Sequence, residues 1–147
     1  MDRRNFIFNS ISLAAGSLGL SMYLSACGTQ KQVQASNKSG LITLPLQSFK
    51  NEKGEYREMV SVNAEGVPYV IFVFRKTESE FTALKGMCTH NACDLNPVQT
   101  GLDCPCHGSR FNKEGTVLNG PASKNLTRYF TSVSGNDLLI NLNKVIP

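Results

Sequence analysis

The sequence has no tryptophan and only two histidines in its 147 residues. It also lacks any basic run or arginine-rich helical pattern, although its formal net charge is +4, so nucleic-acid binding is not expected. The apolar run at residues 11–26 is shorter than the about 20 residues of a membrane-spanning helix. With 41 % apolar and 18 % charged residues, the chain is typical of one globular domain with additional terminal residues.

Helical periodicity is absent too. From residue 41 onward, no segment keeps a 3.6-residue apolar repeat for three turns; instead there are short runs such as "LITLPL", "REMVSV", "LTRYFTSV" and "DLLINL". The nearly continuous apolar run "PYVIFVFR" predicts a strand buried on both faces, and "SGN" predicts a hairpin turn. Residues 86–120 are rich in Gly, Pro, Asn, Cys and His, which predicts loops. The expected fold is all-β, with two long loops at one end.

The N-terminus has the layout of an export signal. Arg3 and Arg4 precede the apolar run at residues 11–26, which consists mainly of small and aliphatic residues. The segment "RRNFI" resembles a twin-arginine signal, whose pathway exports proteins that are already folded. We therefore predict that residues 1–26 are an export signal; a general secretory signal or a short uncleaved membrane anchor is the alternative.

A lipidation site is predicted where this signal ends. The segment "LSAC" resembles a bacterial lipobox, in which the thiol of Cys27 would be acylated. The following "GTQKQVQASNKSG" contains no aromatic residue and only one aliphatic side chain larger than alanine, Val33, so we predict a flexible linker. The predicted organisation has three parts: an export signal at 1–26, a lipidated cysteine with a linker at 27–40, and a folded domain at 41–147.

Two boxes in the loop region, "CTHNAC" and "CPCHGS", contain both histidines of the chain and all its cysteines except Cys27. These residues are Cys88, His90, Cys93, Cys104, Cys106 and His107. Two thiolates and two imidazoles can bind zinc or an iron–sulfur cluster. Because a four-coordinate site uses four ligands, two of these six side chains would not bind the metal. In an exported protein two surplus thiols would form a disulfide. The residue types therefore predict four ligands and one bridge, without indicating which cysteine serves which purpose.

The two boxes resemble those of Rieske [2Fe–2S] proteins, and "GTVLNGPA" resembles the proline loop that covers the cluster in that family. The resemblance spans about residues 41–142 and implies antiparallel sheets with two cluster-binding loops at one end. It also implies the roles of the six side chains. Cys88 and Cys104 would bind one iron, His90 and His107 would bind the other, and Cys93 and Cys106 would form the disulfide.

The resemblance also indicates two residues that affect the reduction potential. Ser109 matches a serine whose hydroxyl donates to a cluster sulfide in high-potential members, whereas Phe111 replaces a tyrosine that donates to a ligand sulfur. Because a donor to sulfur stabilises added electron density, its absence should lower the potential. We expect a positive potential below the top of the Rieske range of about −150 to +300 mV.

Some uses of a Rieske cluster are excluded by the sequence. An oxygenase needs a second, mononuclear iron bound by two histidines and a carboxylate, and both histidines are already assigned. Cytosolic Rieske ferredoxins lack the disulfide pair and the export signal. Asn91 lies where the quinol-oxidising members have leucine, and its polar side chain favours docking to a soluble protein.

We therefore expect a lipid-anchored, extracytoplasmic or periplasmic one-electron carrier or small redox subunit, which alone catalyses no reaction. Its expected partners are a cytochrome or another oxidoreductase subunit, and the membrane through the lipid. The alternative is the Rieske subunit of a cytochrome bc-type quinol oxidoreductase, for which quinol is a partner. A zinc-stabilised β binding module is the alternative from another class.

Overall fold

A computed structural model describes residues 30–147 of the chain. These residues contain twelve β-strands and one 3₁₀ turn at Leu46–Phe49, with no α-helix among them. Nothing helical in this part of the chain has the length and apolarity of a membrane span. The predicted export signal and Cys27 lie outside the described residues.

The strands form two sheets. Their bounds are β1 (Gln32–Ala35), β2 (Asn37–Lys38), β3 (Leu41–Pro45), β4 (Met59–Ala64), β5 (Ile71–Arg75), β6 (Phe81–Lys85), β7 (Asn96–Val98), β8 (Gly101–Asp103), β9 (Arg110–Asn112), β10 (Val117–Asn119), β11 (Arg128–Ser134) and β12 (Asp137–Ile146). The large sheet has the order β1-β4-β5-β6-β11-β12-β3-β2, and the small sheet has the order β10-β9-β8-β7. Every pairing is antiparallel except that of β1 with β4. The predicted all-β, antiparallel fold is confirmed.

Strand β5 connects the two cores of the domain. Ile71 and Val73 belong to the main core of the large sheet. Phe72 and Phe74 belong to a second core, which also contains residues of the small sheet and of the two boxes. Because successive side chains of a strand point to opposite faces, a continuous apolar run contributes to both cores. The prediction of a strand buried on both faces is confirmed, and β5 is the element against which the loop region packs.

The structure differs from the linker prediction at residues 32–38. Strand β1 pairs with β4 along its whole length, and β2 pairs with β3. Val33 and Ala35 pack against the main core. The composition indicated a linker because β1 contributes only two partly buried apolar side chains, while backbone hydrogen bonds, which depend little on residue type, hold it in place. The ordered domain therefore begins before residue 41.

Residues 86–120, predicted to be loops, contain the small sheet. Each of its four strands has three residues, which is too short to show an alternating pattern. Gly101 allows β8 to approach β9 closely, because its φ is 152° and an added Cβ would overlap the carbonyl oxygen of Phe111. The two boxes lie on loops that adjoin this small sheet.

A tyrosine pair joins β11 to the segment just before β5. The hydroxyl of buried Tyr129 is 2.7 Å from the hydroxyl of Tyr69. Burial, together with the hydrogen bond and the charge of Tyr69, raises the pKa of Tyr129 above its usual value. The folded chain therefore keeps this proton at a pH where the unfolded chain loses it.

This pair predicts a loss of stability at alkaline pH. The contribution of Tyr129 is fully present below about pH 10, the pKa in the unfolded chain, and is lost as the pH rises above it. The free energy of unfolding should fall by about 1.4 kcal/mol at about pH 11. Denaturant unfolding of the unmodified protein and of Tyr129→Phe at about pH 9 and 11 measures this change as a difference between the two proteins, in which the loss of the cofactor common to both cancels; Tyr129→Phe should show a fall smaller by that amount. An equal fall in both proteins would contradict the prediction.

Candidate cluster-binding site

The first box forms a tight loop at residues 88–93, which we call the first loop. The N–H of Cys88 donates to the carbonyl of Cys93 at 2.8 Å, and the N–H of Ala92 donates to the carbonyl of Cys88 at 2.9 Å. A positive φ of 54° at Ala92 turns the chain back. Because both bonds involve the backbone of Cys88, that residue is fixed at the base of the loop.

The second box forms a loop of the same construction at residues 104–109, the second loop, between β8 and β9. The N–H of Cys104 donates to the carbonyl of Ser109 at 2.8 Å, and the N–H of Gly108 donates to the carbonyl of Cys104 at 3.0 Å. Here the positive φ, 79°, is at Gly108. In each loop the backbone of the first cysteine makes both hydrogen bonds that close the loop. Each loop also carries one histidine between that cysteine and the residue with positive φ.

A disulfide joins the two loops. It links Cys93 to Cys106, with the Cα atoms 6.5 Å apart, as the resemblance implied. The sulfurs of Cys93, Cys104 and Cys106 all lie within 4.8 Å of one another, so the bridge lies beside the thiol of Cys104. Within the described residues the free thiols are those of Cys88 and Cys104. Since a thiolate and not a disulfide sulfur is the metal ligand, these two remain as sulfur donors.

The two free thiols are buried and adjacent. Cys88 and Cys104 are each 3 % exposed. Burial raises the pKa of the Cys88 thiol, but hydrogen bonds from the N–H groups of His90 and Asn91 and from the side chains of Cys104 and Ser109 outweigh it and lower this pKa below its usual value. A sulfur surrounded by donors is stabilised as a thiolate, the form that binds iron.

The two imidazoles lie on the outside of the site. His90 and His107 are exposed, and their ring centroids are 4.9 Å apart with an angle of 84° between the rings. The structure thus brings together a pair of sulfur donors inside and a pair of nitrogen donors outside. This arrangement fits a two-iron cluster in which one iron has two thiolates and the other has two imidazoles.

The predicted proline loop, residues 115–122, is fixed to the second loop. The side-chain amide of Asn119 donates to the carbonyl of Gly108 at 3.1 Å. Beyond the proline loop, the hydroxyl of Thr89 in the first loop donates to the carbonyl of Lys124 at 2.6 Å. Both side chains connect the loops of the site, and neither role could be predicted from the sequence, because an asparagine or threonine in a turn has many local partners.

Ser109 connects the proline loop to the thiols. It is fully buried, and its hydroxyl accepts from the N–H of Ala122 at 3.0 Å. The same hydroxyl is in hydrogen-bond contact with the sulfur of Cys88. Because a hydroxyl that accepts one bond still has its proton to donate, Ser109 is able to donate to this sulfur. Phe111, 1 % exposed, lies in β9 within the second core and offers no donor there.

Comparison with known proteins places this site in a family. The model of the Rieske [2Fe–2S] domain matches residues 46–130, more than half of the chain. The cytochrome b6-f complex iron-sulfur subunit of Microcystis aeruginosa is 29 % identical over 118 residues, which cover 79 % of this chain and 65 % of that protein. The cytochrome b6-f complex iron-sulfur subunit 3 of Nostoc sp. is 32 % identical over 100 residues, which cover 67 % of this chain and 56 % of that protein.

A third relative, the carotenoid phi-ring synthase of Chlorobaculum tepidum, is 42 % identical over 77 residues, which cover 51 % of this chain and 11 % of that protein. The chain thus spans less than two thirds of the length of each of these three relatives.

Solved structures agree with this assignment. The cyanobacterial plasma membrane Rieske protein PetC3 from Synechocystis PCC 6803 is 34 % identical with a TM-score of 0.50, covering 57 % of this chain and 86 % of that one. A chain from the complex of oxygenase and ferredoxin in carbazole 1,9a-dioxygenase has a TM-score of 0.55 at 19 % identity, over 75 % of this chain and 100 % of that one, and shows the fold alone. The chain therefore belongs to the Rieske [2Fe–2S] domain family, whose domain binds a [2Fe–2S] cluster.

Proposed function

We propose that the chain is a lipid-anchored, extracytoplasmic electron-transfer protein. In this proposal Cys88 and Cys104 bind one iron of the [2Fe–2S] cluster, and His90 and His107 bind the other. The observation that carries it is the separation of the donors, with two free thiols buried and two imidazoles exposed 4.9 Å apart. A cluster bound there supplies one-electron transfer, and the imidazole side is the edge that a partner can reach.

The surroundings of the imidazoles favour a protein partner. Asn91, next to His90, is exposed and polar, and Leu118 near the second loop is 58 % exposed. Polar groups with a few apolar contacts are typical of the small, transient interfaces of redox proteins. We therefore infer a cytochrome or another oxidoreductase subunit as the partner, in preference to quinol, and we infer that the chain alone catalyses no reaction.

The lipid anchor and the location rest on the N-terminal sequence. The "RRNFI" segment suits export of a protein that has already folded around its cluster, and Cys27 supplies the thiol for acylation. The similarity to a protein described as a plasma membrane Rieske protein supports a site of action at a membrane. Mass spectrometry of the protein purified from membranes should find an acylated Cys27 as the first residue. An unmodified peptide that continues upstream of Cys27 would overturn this part of the proposal.

A second candidate function is the Rieske subunit of a cytochrome bc-type quinol oxidoreductase. It is favoured by the similarity to cytochrome b6-f complex iron-sulfur subunits, one of which matches 79 % of the chain. Purification from membranes in a mild detergent separates the two candidates. A carrier should be obtained without haem b, whereas stoichiometric cytochrome b in the purified material would favour the subunit.

The position of Ser109 predicts a lower reduction potential for Ser109→Ala. Loss of a donor to the Cys88 sulfur should lower the potential by on the order of 60 mV, the equivalent of a hydrogen bond worth about 1.4 kcal/mol. Phe111→Tyr is the complementary change, because the family resemblance implies that a tyrosine at this position donates to a ligand sulfur, and it should raise the potential. An EPR-monitored redox titration measures both shifts.

The control for these variants is Ser123→Ala, which removes an exposed hydroxyl shortly after the proline loop and should leave the potential unchanged. A potential for Ser109→Ala equal to that of the unmodified protein would show that this hydroxyl does not donate to sulfur. For the unmodified protein, a value clearly below zero would contradict the expected position in the Rieske range.

A further inference from the structure

Three lysines and a tyrosine form a surface far from the two loops. Lys31, Lys50 and Lys53 line one groove, and Tyr56, which pairs with Lys50 through a β-bridge, is 49 % exposed. The amino group of Lys50 lies 5.2 Å from the centre of the Tyr56 ring. Among residues 30–147, neither Lys31 nor Lys53 takes part in an ion pair. We call these four residues the basal lysine surface.

The basal lysine surface lies at the opposite end of the large sheet from the loops. In the pairing of β5 with β6, Arg75 faces Phe81 at one end and Ile71 faces Lys85 at the other. Lys85 leads into the first loop, whereas the guanidinium of Arg75 lies 3.9 Å from the centre of the Tyr56 ring. The four residue steps between these ends correspond to about 14 Å of sheet. The surface and the imidazole edge therefore face different ends of the domain.

The predicted lipid anchor is close to this surface. Cys27 precedes Lys31 by four positions, and four residues span at most about 14 Å. Because β1 already begins at Gln32, the tether is much shorter than the linker that composition predicted over residues 28–40. Acyl chains on Cys27 would hold Lys31 within reach of the lipid headgroups.

We propose that the basal lysine surface binds the anionic phospholipid headgroups of the membrane that holds the anchor, and so directs the imidazole edge away from that membrane. The proposal rests on the lipid-anchored function proposed above. Lysines near a bilayer are attracted by anionic lipids, and a half-exposed tyrosine suits the headgroup level, where one end of the ring is apolar and the other is hydrated. A domain held this way presents its cluster to a soluble partner.

The groove keeps a net positive charge although two carboxylates line it. Glu52 and Glu55 line the same groove, together with four basic residues, Lys31, Lys50, Lys53 and Arg57. Glu55 also accepts a hydrogen bond from the amide of Asn51 at 2.8 Å. At this end of the sheet Glu58, Glu80 and Glu114 share two lysines in the ion pairs Lys113–Glu58, Lys76–Glu80 and Lys76–Glu114. Glu78 and Asp137 lie in pockets that adjoin Tyr56 and take part in no ion pair among residues 30–147, so the excess positive charge belongs to the groove itself.

The absence of tryptophan gives a direct test, since one introduced tryptophan is the sole indole in the chain. The full-length lipoprotein carrying Tyr56→Trp is inserted into vesicles that contain brominated phosphatidylcholine as quencher, with or without about one quarter phosphatidylglycerol. The matched reporter is Leu118→Trp, at an exposed position near the second loop. With phosphatidylglycerol, quenching of Tyr56→Trp should be several-fold stronger than that of Leu118→Trp. The excess should fall without the anionic lipid and in about 0.5 M NaCl, where the screening length is about 4 Å.

The lysines are tested in the Tyr56→Trp background. Lys53→Ala should lower the ratio of docked to undocked protein about fivefold. Lys124→Ala removes the same charge from an exposed lysine near the loops and should leave quenching unchanged. Equal quenching at positions 56 and 118 of an acylated, inserted protein, or no dependence on phosphatidylglycerol, would overturn the proposed surface alone. Failure of the chain to carry acyl groups and to float with the vesicles would instead overturn the lipid-anchored function.

Discussion

Replacing His107 with alanine should abolish the EPR signal of the reduced cluster in the purified protein and remove most of its iron and acid-labile sulfide. In the proposed ligand set His90 and His107 supply the nitrogen donors, and within residues 30–147 the chain has no further histidine or unassigned free thiol that could substitute. Because both imidazoles are exposed, the vacant position would be open to water, and a cluster with an incomplete ligand set is readily hydrolysed. Iron and sulfide analysis, visible absorption and EPR measure the loss.

The control for this variant is Asn91→Ala, which changes an exposed neighbour of His90 in the first loop and should keep the cluster. His107→Cys tests the donor role independently of stability, because it restores a ligand of another type. That variant should retain iron and show a lower potential than the unmodified protein, since a thiolate adds negative charge to the cluster. A folded His107→Ala protein with an unchanged EPR spectrum would refute the assignment of this imidazole as a ligand.

Much of the candidate site was predictable because its chemistry resides in rare residue types at fixed spacing. The six cysteines and histidines of the two boxes are nearly all that the chain has, and the structure brings them together with the disulfide in the implied pairing. What the sequence did not show is how the loops are held. The Thr89–Lys124 and Asn119–Gly108 hydrogen bonds join residues distant in sequence, and one partner in each is a backbone carbonyl, which carries no residue signature.

The fold was predictable where a strand is rich in large apolar residues. The run that forms β5 was such a case, and so was the hairpin of β11 and β12. The neighbouring β6 was missed, although four of its five residues, 81–84, are buried. Thr82 and Ala83 fill positions that face the two tightly packed cores, and such small side chains weaken the apolar pattern from which strands are read. Strand β1 was missed because its stability comes from pairing with β4.

Replacing Cys93 and Cys106 together with serine should shorten the lifetime of the bound cluster and destabilise the fold. The bridge closes a loop with a sequence separation of 13, for which the chain-entropy model gives about 3 kcal/mol of stabilisation. It also fixes the end of the first loop against the second loop. Without the bridge, each loop is held by its own backbone hydrogen bonds. Cys106 is exposed and Cys93 is half-buried, so serine can be accommodated and hydrated at both positions. The rate at which visible absorption bleaches at a fixed elevated temperature measures the effect, because loss of a cofactor makes equilibrium unfolding a poor two-state measurement.

The unmodified protein provides the control for this change. Treatment with a thiol reductant should shorten its bleaching half-life to that of the double variant, because breaking the bond chemically removes the same constraint. The double variant has no bridge to reduce, so the reductant should leave its half-life unchanged. A shorter half-life of the treated double variant would reveal direct attack of the reductant on the cluster. Equal half-lives for the untreated protein and the variant would mean that the hydrogen bonds within each loop and those from Asn119 and Thr89 are sufficient to hold the two loops together.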